Sequence, residues 1–120
     1  MASEPLAVRR CVPCEAGTPP LTEEQARGYL SGLGGWDLEE PEGKRIAKLF
    51  RLKSFREALA FINRIADIAE EEGHHPDIWF SYRRVRVELT THAIGGLSEN
   101  DFIMAAKVDR LFASVAEASA

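Results

Sequence analysis

Three segments of the chain show the hydrophobic periodicity of amphipathic helices, and each begins with a capping sequence. The capping sequences are Thr22-Glu23-Glu24-Gln25, Ser54-Phe55-Arg56-Glu57 and Ser98-Glu99-Asn100-Asp101. In a capping box the hydroxyl accepts a hydrogen bond from the N3 amide, and the N3 side chain accepts one from the N-cap amide. Each N-cap typically contributes about 1 kcal/mol. We therefore expect three helices, the first of them short and ending near Gly32, Gly34 and Gly35.

The second and third helices carry apolar stripes at helical spacing. In the second helix the stripe is Phe55, Leu59, Ile62, Ala66 and Ala69, widened by Phe61, Ile65 and Ile68. In the third helix it is Met104, Val108, Leu111 and Val115. Residues spaced three and four apart share one helix face, so both stripes are predicted to face the core. Gly73 follows the acidic residues 70–72 and is predicted to terminate the second helix.

Between the helices the period changes to two, which is typical of half-buried strands. Val85, Val87 and Leu89 alternate with Arg84, Arg86 and Glu88, and Phe50 and Leu52 alternate with Arg51 and Lys53. Residues 36–38 are predicted to pair with the strand around Phe50 across a turn at 41–43. Residues 77–91 are too many for one strand, so a hairpin turn is predicted near Tyr82 and Arg83.

The predicted order is α-β-β-α-β-β-α, in which short links make neighbouring strands antiparallel. This is an α+β fold whose three helices cover one face of the sheet. Residues 1–20 contain four prolines and no apolar periodicity, so they are predicted to be a flexible tail. Regular structure is expected from Thr22, within a single domain at 21–120. The unprotected edge strands favour self-association.

Composition excludes several classes of protein. The 120 residues are 45% hydrophobic and 28% charged, as in an ordinary globular domain. A net charge of −4 argues against a general binder of nucleic-acid phosphates. No run approaches the roughly 20 apolar residues of a membrane-spanning helix, and residues 1–20 do not resemble a secretory signal. We expect a cytoplasmic protein with Cys11 and Cys14 reduced.

The three histidines are candidates for proton transfer. His74 and His75 follow the second helix, and His92 follows the last strand. Imidazole exchanges protons near neutral pH, and the antiparallel return of the chain could bring His92 beside the other two. A structural role at a helix or strand end is the alternative for each histidine. The pattern of residues leaves both open.

Other chemistry is less favoured by the spacing of residues. Three histidines can bind zinc, but no His-Glu-x-x-His is present, and we expect no metal. Cys11-x-x-Cys14 supplies only two ligands and no second pair exists, so reduced thiols are predicted. Asp101 is either catalytic or simply the N3 member of its capping box. The arginines of residues 83–86 fit the exposed face of a strand better than a nucleic-acid site.

Three segments together resemble the pterin-4a-carbinolamine dehydratase family. They read Glu-Glu-Glu-Gly-His-His-Pro-Asp at 70–77, Val-Arg-Val-Glu-Leu-Thr-Thr-His at 85–92 and Gly-Leu-Ser-Glu-Asn-Asp at 96–101. The His-His-Pro, Thr-His and Gly-Leu-Ser-x-x-Asp elements occur in the family's order and spacing. Cys-Val-Pro-Cys-Glu and Pro-Pro-Leu near the start are similar to bacterial members.

The resemblance implies a four-stranded antiparallel sheet with three helices, in agreement with the pattern above. It implies an enzyme without metal or cofactor that converts 4a-hydroxytetrahydropterin to quinonoid dihydropterin, recycling the cofactor of aromatic amino acid hydroxylases. It further implies a pterin substrate, a homodimer or homotetramer, and a hydroxylase in the same pathway. From the net charge and the lack of a long apolar run, we expect neither nucleic acid nor membrane as partner. The alternative is a non-catalytic, dehydratase-like interaction protein, a coactivator or assembly factor, which we would expect to have lost the histidines.

Matched position by position, the resemblance also implies the site residues. The catalytic histidines correspond to His74, His75 and His92, and the substrate-binding carboxylates to Glu70 and Asp101. His74 and His92 are predicted to transfer protons while His75 mainly holds the pterin. Glu70, one turn before His74, is expected to orient that imidazole. Asp101 is expected to accept from an imidazole or from a pterin N–H while still capping its helix.

Overall fold

Three helices and four strands follow one another in the predicted order. The elements are α1 (Glu23–Leu30), β1 (Asp37–Glu39), β2 (Arg45–Arg51), α2 (Phe55–Glu72), β3 (Asp77–Ser81), β4 (Arg84–Leu89) and α3 (Glu99–Ala118), with 3-10 turns at Leu6–Val8 and His92–Ile94. This computed structural model describes residues 5–13, 17–39 and 44–118. Among those residues, no helix has the length and apolar character that crossing a membrane requires. The predicted α+β class and element order are confirmed.

The four strands form one antiparallel sheet in the order β1-β2-β4-β3. The predicted pairing of the first two strands is confirmed, with Leu38 opposite Ile46, while the predicted turn at 41–43 lies outside the described residues. The predicted hairpin turn is also confirmed, since residues 82 and 83 join β3 to β4. β4 therefore lies between β2 and β3. Its last residues lie beside the first residue of β3, Asp77, which pairs with Glu88.

All three predicted helix starts carry side-chain caps. Thr22 and Gln25 form a complete capping box at α1. At α2 the Ser54 hydroxyl accepts from the Glu57 N–H at 3.1 Å. At α3 the Ser98 N–H donates to the Asp101 carboxylate at 3.0 Å, while the Ser98 hydroxyl accepts from the N–H of residue 100. The carboxylate of Asp101 is thereby fixed at the start of α3.

The buried face of α2 differs from the predicted one. The buried residues of α2 are Ala58, Phe61, Ile65 and Ala69. Phe55 is 51% exposed and Leu59 43% exposed, and Ala66 is exposed too, so the predicted stripe through these residues is wrong. Apolar residues surround much of this helix, and its docking on the sheet selects which of them are covered. Phe55 instead stacks on Phe80 of β3, with ring centroids 5.1 Å apart.

The core between sheet and helices is built around aromatic rings. Phe50 of β2 contacts Phe61 of α2 and Phe112 of α3, with centroid distances of 5.1 and 4.9 Å. The predicted stripe of α3 does face this core. Met104 and Val108 are fully buried, and the rest of the stripe is partly buried against them. Edge-to-face and tilted ring contacts of this kind add about 0.5–1.5 kcal/mol each to the burial of apolar area.

The N-terminal segment, residues 5–13, differs from the expectation that regular structure begins at Thr22. Leu6–Val8 forms a 3-10 turn that lies against α3, and Leu6 and Cys11 pack on the core. Lys107 of α3 donates to the carbonyl of Ala7 at 3.0 Å. This hydrogen bond joins residues 100 positions apart, and the ion pair of Arg9 with Glu99 joins residues 90 positions apart. Because the segment has no periodicity of its own, local sequence pattern does not predict its docking.

Gly73 ends α2 in a left-handed conformation, with φ at 66°. We expect Gly73→Ala to lower the free energy of unfolding by about 1 kcal/mol, because a Cβ disfavours positive φ. No atom lies within 4 Å of the added methyl, so the cost is conformational. The matched control is Gly28→Ala inside α1, where the new Cβ is equally free. Alanine is the better helix former there and should raise stability by about 0.5–1 kcal/mol. Urea unfolding measures both; the same sign for the two variants would contradict this account.

Candidate functional site

A cavity of about 430 Å³ lies at the edge of the sheet where β3 begins and β4 ends. Three stretches of chain line it: residues 11–13 of the N-terminal segment, residues 72–75 at the end of α2, and residues 90–93 after β4. Asn100 from the first turn of α3 completes the lining. All three histidines of the sequence are among these residues. Residues far apart along the chain therefore share one cavity.

The sheet topology explains why the histidines meet. His74 and His75 lie between Gly73, which ends α2, and Asp77, which begins β3. β4 runs antiparallel to β3, so its end returns to the same edge, and His92 lies three residues after it. The chemical roles of the three histidines stay predictions, but their placement in one cavity follows from this pairing.

His74 is held by a buried carboxylate. Its Nε2 lies 2.6 Å from Oδ1 of Asp101, a residue with no solvent exposure. The other carboxylate oxygen accepts from the Thr91 hydroxyl at 2.8 Å and from the Ser98 N–H at 3.0 Å. The two donors at Oδ2, the Thr91 hydroxyl and the Ser98 N–H, match an ionised carboxylate, which can only accept hydrogen bonds. The proton of a neutral His74 therefore lies on Nε2, and its Nδ1 is left as a proton acceptor.

The hydroxyls beside Asp101 have one consistent arrangement of protons. Thr91 gives its single hydroxyl proton to Asp101, so the 2.8 Å contact between Thr91 and Ser98 is a donation from Ser98. Ser98 in turn accepts from the N–H of Asn100 at 3.2 Å. This network connects the end of β4 to the start of α3. It fixes Thr91, whose neighbour in sequence is His92.

Glu70 does not contact His74 as expected. Its carboxylate pairs with Nε2 of His75, and both side chains are largely exposed. The expectation is wrong because Gly73 ends the helix before His74, so the spacing of one helical turn does not apply there. Asp101 occupies the orienting position instead. The predicted contact of Asp101 with an imidazole is thus present and its carboxylate is fully buried, while its predicted contact with a pterin N–H stays a prediction.

Glu72 is a buried carboxylate that the sequence analysis missed. Its side chain is 3% exposed, and it accepts from the Cys11 N–H at 2.8 Å. Arg10 and Lys107 lie 3.5 and 3.7 Å from it. One signal was present: three glutamates end α2, where the helix dipole disfavours negative charge. A carboxylate at that position needs compensating donors, and here the N-terminal segment and α3 provide them.

Cys11 also lines the cavity, as a protonated thiol. Burial, and next the charge of Glu72, raise the pKa of Cys11 to about 12. At neutral pH the thiolate that would act as nucleophile or metal ligand is therefore scarce. Cys14 lies outside the described residues. Within the described parts of the chain, no three His, Cys, Asp or Glu side chains converge as a potential metal site.

Two solved structures resemble this fold at recognisable sequence identity. The crystal structure of a transcriptional coactivator/pterin dehydratase from Brucella melitensis superposes with a TM-score of 0.73 at 35% identity, over 77% of this chain and 97% of that chain. A pterin dehydratase-like protein identified as a RuBisCO assembly factor in the alpha-carboxysome has a TM-score of 0.57 at 29% identity, over 65% of this chain and 89% of that one. The fold thus occurs in proteins with different described roles.

Two sequence relatives are named for the same enzyme. A Nitrosomonas eutropha protein named for pterin-4-alpha-carbinolamine dehydratase is 51% identical over 110 residues, which are 91% of this chain and 95% of that protein. The mitochondrial pterin-4-alpha-carbinolamine dehydratase 2 of Arabidopsis thaliana is 46% identical over 88% of this chain and 58% of its own length. The sequence model of the family Pterin 4 alpha carbinolamine dehydratase matches residues 19–111. The chain therefore belongs to the pterin-4-alpha-carbinolamine dehydratase family.

Proposed function

We propose that the protein is a 4a-hydroxytetrahydropterin dehydratase that works by histidine acid–base catalysis. The observation that carries the proposal is the His74 imidazole, held at Nε2 by Asp101 inside a cavity that His75 and His92 also line. Family membership supports the substrate class. The cavity volume of about 430 Å³ lies in the range usual for small-molecule sites.

The reaction needs two proton transfers. The C4a–O bond breaks as the oxygen takes a proton and leaves as water, and the N5 proton is removed as the N5=C4a double bond forms. A positioned general acid or base typically accelerates such a step by about 10²–10⁴-fold. Two imidazoles that exchange protons near neutral pH can supply both transfers.

In this proposal His74 is the base and His92 the acid. Since Asp101 holds the Nε2 proton of His74, the lone pair on Nδ1 is available to take the N5 proton. The resulting imidazolium is stabilised by the buried carboxylate, as in other carboxylate–histidine pairs. His92 lines the cavity and is solvent-exposed, so it can regain its proton from water. His75, paired with Glu70, holds the pterin, and Glu70 supports that contact.

The proposal is tested in an aromatic amino acid hydroxylase assay in which the decay of the carbinolamine limits the rate of turnover. Addition of the protein is expected to accelerate turnover in proportion to its concentration, since spontaneous dehydration is then the slow step. The control is the same protein after heat denaturation. An unchanged decay rate would contradict the dehydratase proposal and favour an interaction protein, as described for the carboxysomal relative.

We further propose that copies of the chain associate as a homodimer or homotetramer in the cytoplasm, where the enzyme recycles tetrahydropterin for a hydroxylase. The family resemblance implies this assembly. β3 is an edge strand, and the side chains of Trp79 on it and Tyr82 beside it are 64% and 65% exposed. Large exposed aromatic side chains on an edge strand support an interface with another copy of the chain at this surface. Light scattering measures the mass of the assembly, and a monomer would contradict this part of the proposal.

A further inference from the structure

We propose that the N-terminal segment is part of the substrate site, with Val12 as the residue that contacts the pterin ring and Asn100 as the residue that positions it. This inference rests on the proposed function. It goes beyond the family match, because residues 5–13 lie outside the range 19–111 that the family's sequence model covers.

The first argument is the position of the segment. Residues 11–13 line the same cavity as the three histidines. Val12 is nonetheless 65% exposed, although hydrogen bonds fix its backbone. A valine that lines a cavity and keeps this exposure presents apolar surface that a ligand can cover.

The second argument is how firmly the backbone of Val12 is held. The Asn100 side chain accepts from the Val12 N–H at 3.0 Å and donates to the Val12 carbonyl at 2.5 Å. Only one orientation of the amide satisfies both hydrogen bonds. Asn100 is 5% exposed, so this contact is shielded from water. The neighbouring Cys11 N–H is held by the buried carboxylate of Glu72.

The third argument is chemical complementarity. The segment contributes Cys11, Val12 and Pro13 to the lining, and none of these is charged at neutral pH. The other stretches contribute the histidines, two threonines and Glu72. The pyrimidine part of a reduced pterin is close to planar, with apolar faces and a polar edge. The segment provides apolar surface that contacts a face of the ring, while the histidines exchange protons with N5 and with the oxygen on C4a.

The experiment measures binding and catalysis separately. The variant is Val12→Ser, and the matched control is Val8→Ser, a valine of the same segment that is 46% exposed and does not line the cavity. The probe for binding is tetrahydropterin, which lacks the 4a-hydroxyl and does not react. Val12→Ser is expected to raise Kd and KM about fivefold with kcat within twofold, as for the loss of part of a valine's apolar contact. Val8→Ser is expected to match the wild-type protein.

Asn100→Ala tests the positioning role. We expect the same rise in Kd and KM, accompanied by release of the segment. Release is measured by alkylation of Cys11 with iodoacetamide at pH 8 in a Cys14→Ser background, which leaves Cys11 as the single thiol. The rate is expected to rise at least tenfold, because the thiol leaves a buried site where its pKa is about 12. Saturating tetrahydropterin should slow alkylation in the protein that keeps Asn100.

Each outcome decides the inference. A Val12→Ser protein with wild-type Kd overturns it, and so does an Asn100→Ala protein with faster alkylation but unchanged Kd. If the wild-type chain binds tetrahydropterin yet accelerates no dehydration, the dehydratase proposal fails while the comparison of Kd values still tests the segment. If the wild-type chain binds no tetrahydropterin, the inference about the segment is overturned, and the dehydratase proposal is decided by the decay rate of the carbinolamine.

Discussion

Replacing both His74 and His92 by alanine is expected to reduce the catalysed dehydration rate at least 10³-fold, close to the spontaneous rate. The two groups act in one proton-transfer sequence, so their losses should not multiply fully. Each single variant is expected to lose about 10²-fold or more in kcat. Stopped-flow measurement of carbinolamine decay gives these values.

The fold of the double variant should persist. His92 is exposed, and loss of the His74 ring leaves Asp101 with its Thr91 and Ser98 donors. Circular dichroism and light scattering are the controls, and both should match the wild-type protein. His75→Ala serves as the comparison: it should raise KM more than it lowers kcat, since His75 is assigned to holding the pterin. A double variant that retains a tenth of the wild-type kcat would overturn the assignment of the proton-transfer pair.

Asp101→Asn is expected to lower kcat strongly while changing the free energy of unfolding only a little. The asparagine oxygen can still accept from Thr91 and Ser98, but its NH₂ group faces His74 and donates to Nε2. The imidazole proton is then forced onto Nδ1, the atom assigned as the base. We expect kcat to fall about 10²-fold or more, as when a carboxylate orienting a catalytic histidine is amidated, with a loss of unfolding free energy of about 1 kcal/mol.

Asp101→Ala should affect both quantities. It leaves the donors of His74, Thr91 and Ser98 without their acceptor in a site closed to solvent. We expect a loss of about 3 kcal/mol in unfolding free energy, together with the loss in kcat. Urea unfolding and steady-state kinetics measure the two effects. Equal kcat values for Asp101→Asn and the wild-type protein would show that the proton on His74 is not set by this carboxylate.

The matched control is Asp109→Asn on the same helix. Asp109 accepts from Trp36 Nε1 at 3.0 Å and from Lys48 at 2.8 Å, away from the cavity. This substitution weakens two tertiary contacts and should lower stability modestly. It should leave kcat unchanged. A fall in kcat for this variant would mean that general loosening of α3, rather than the proton on His74, accounts for the Asp101 variants.

Local sequence determined the elements of this fold. The caps at Thr22, Ser54 and Ser98 depend on neighbours within three residues, and the strand of Val85 and Val87 depends on alternation. Patterns that involve only a few neighbouring residues can be recognised in the sequence without knowledge of the fold. The three-histidine candidate site also followed from sequence, because antiparallel pairing of two consecutive strands brings the residues before one and after the other to one edge.

The partners of those histidines depended on the tertiary structure. The helical spacing that favoured Glu70 as the partner of His74 ends at Gly73, because this residue terminates α2 in a left-handed conformation. After Gly73, the direction of the chain is set by the pairing of β3 with β4. Asp101 reaches His74 only because α3 begins beside the end of β4, joined to it by Thr91 and Ser98. Neither contact has a local signature.

Sequence by itself thus determined the helices, the strands, their order and the candidate residues for the chemistry, since each follows from periodicity, capping or motif over a few positions. Only the tertiary structure decided which face of α2 is buried, which carboxylate holds His74, and that residues 11–13 complete the cavity. The physical reason is distance along the chain. These choices depend on packing and hydrogen bonds between residues far apart along the chain, such as Val12 and Asn100, which are 88 positions apart. The free energy of these contacts appears only when the whole chain has folded.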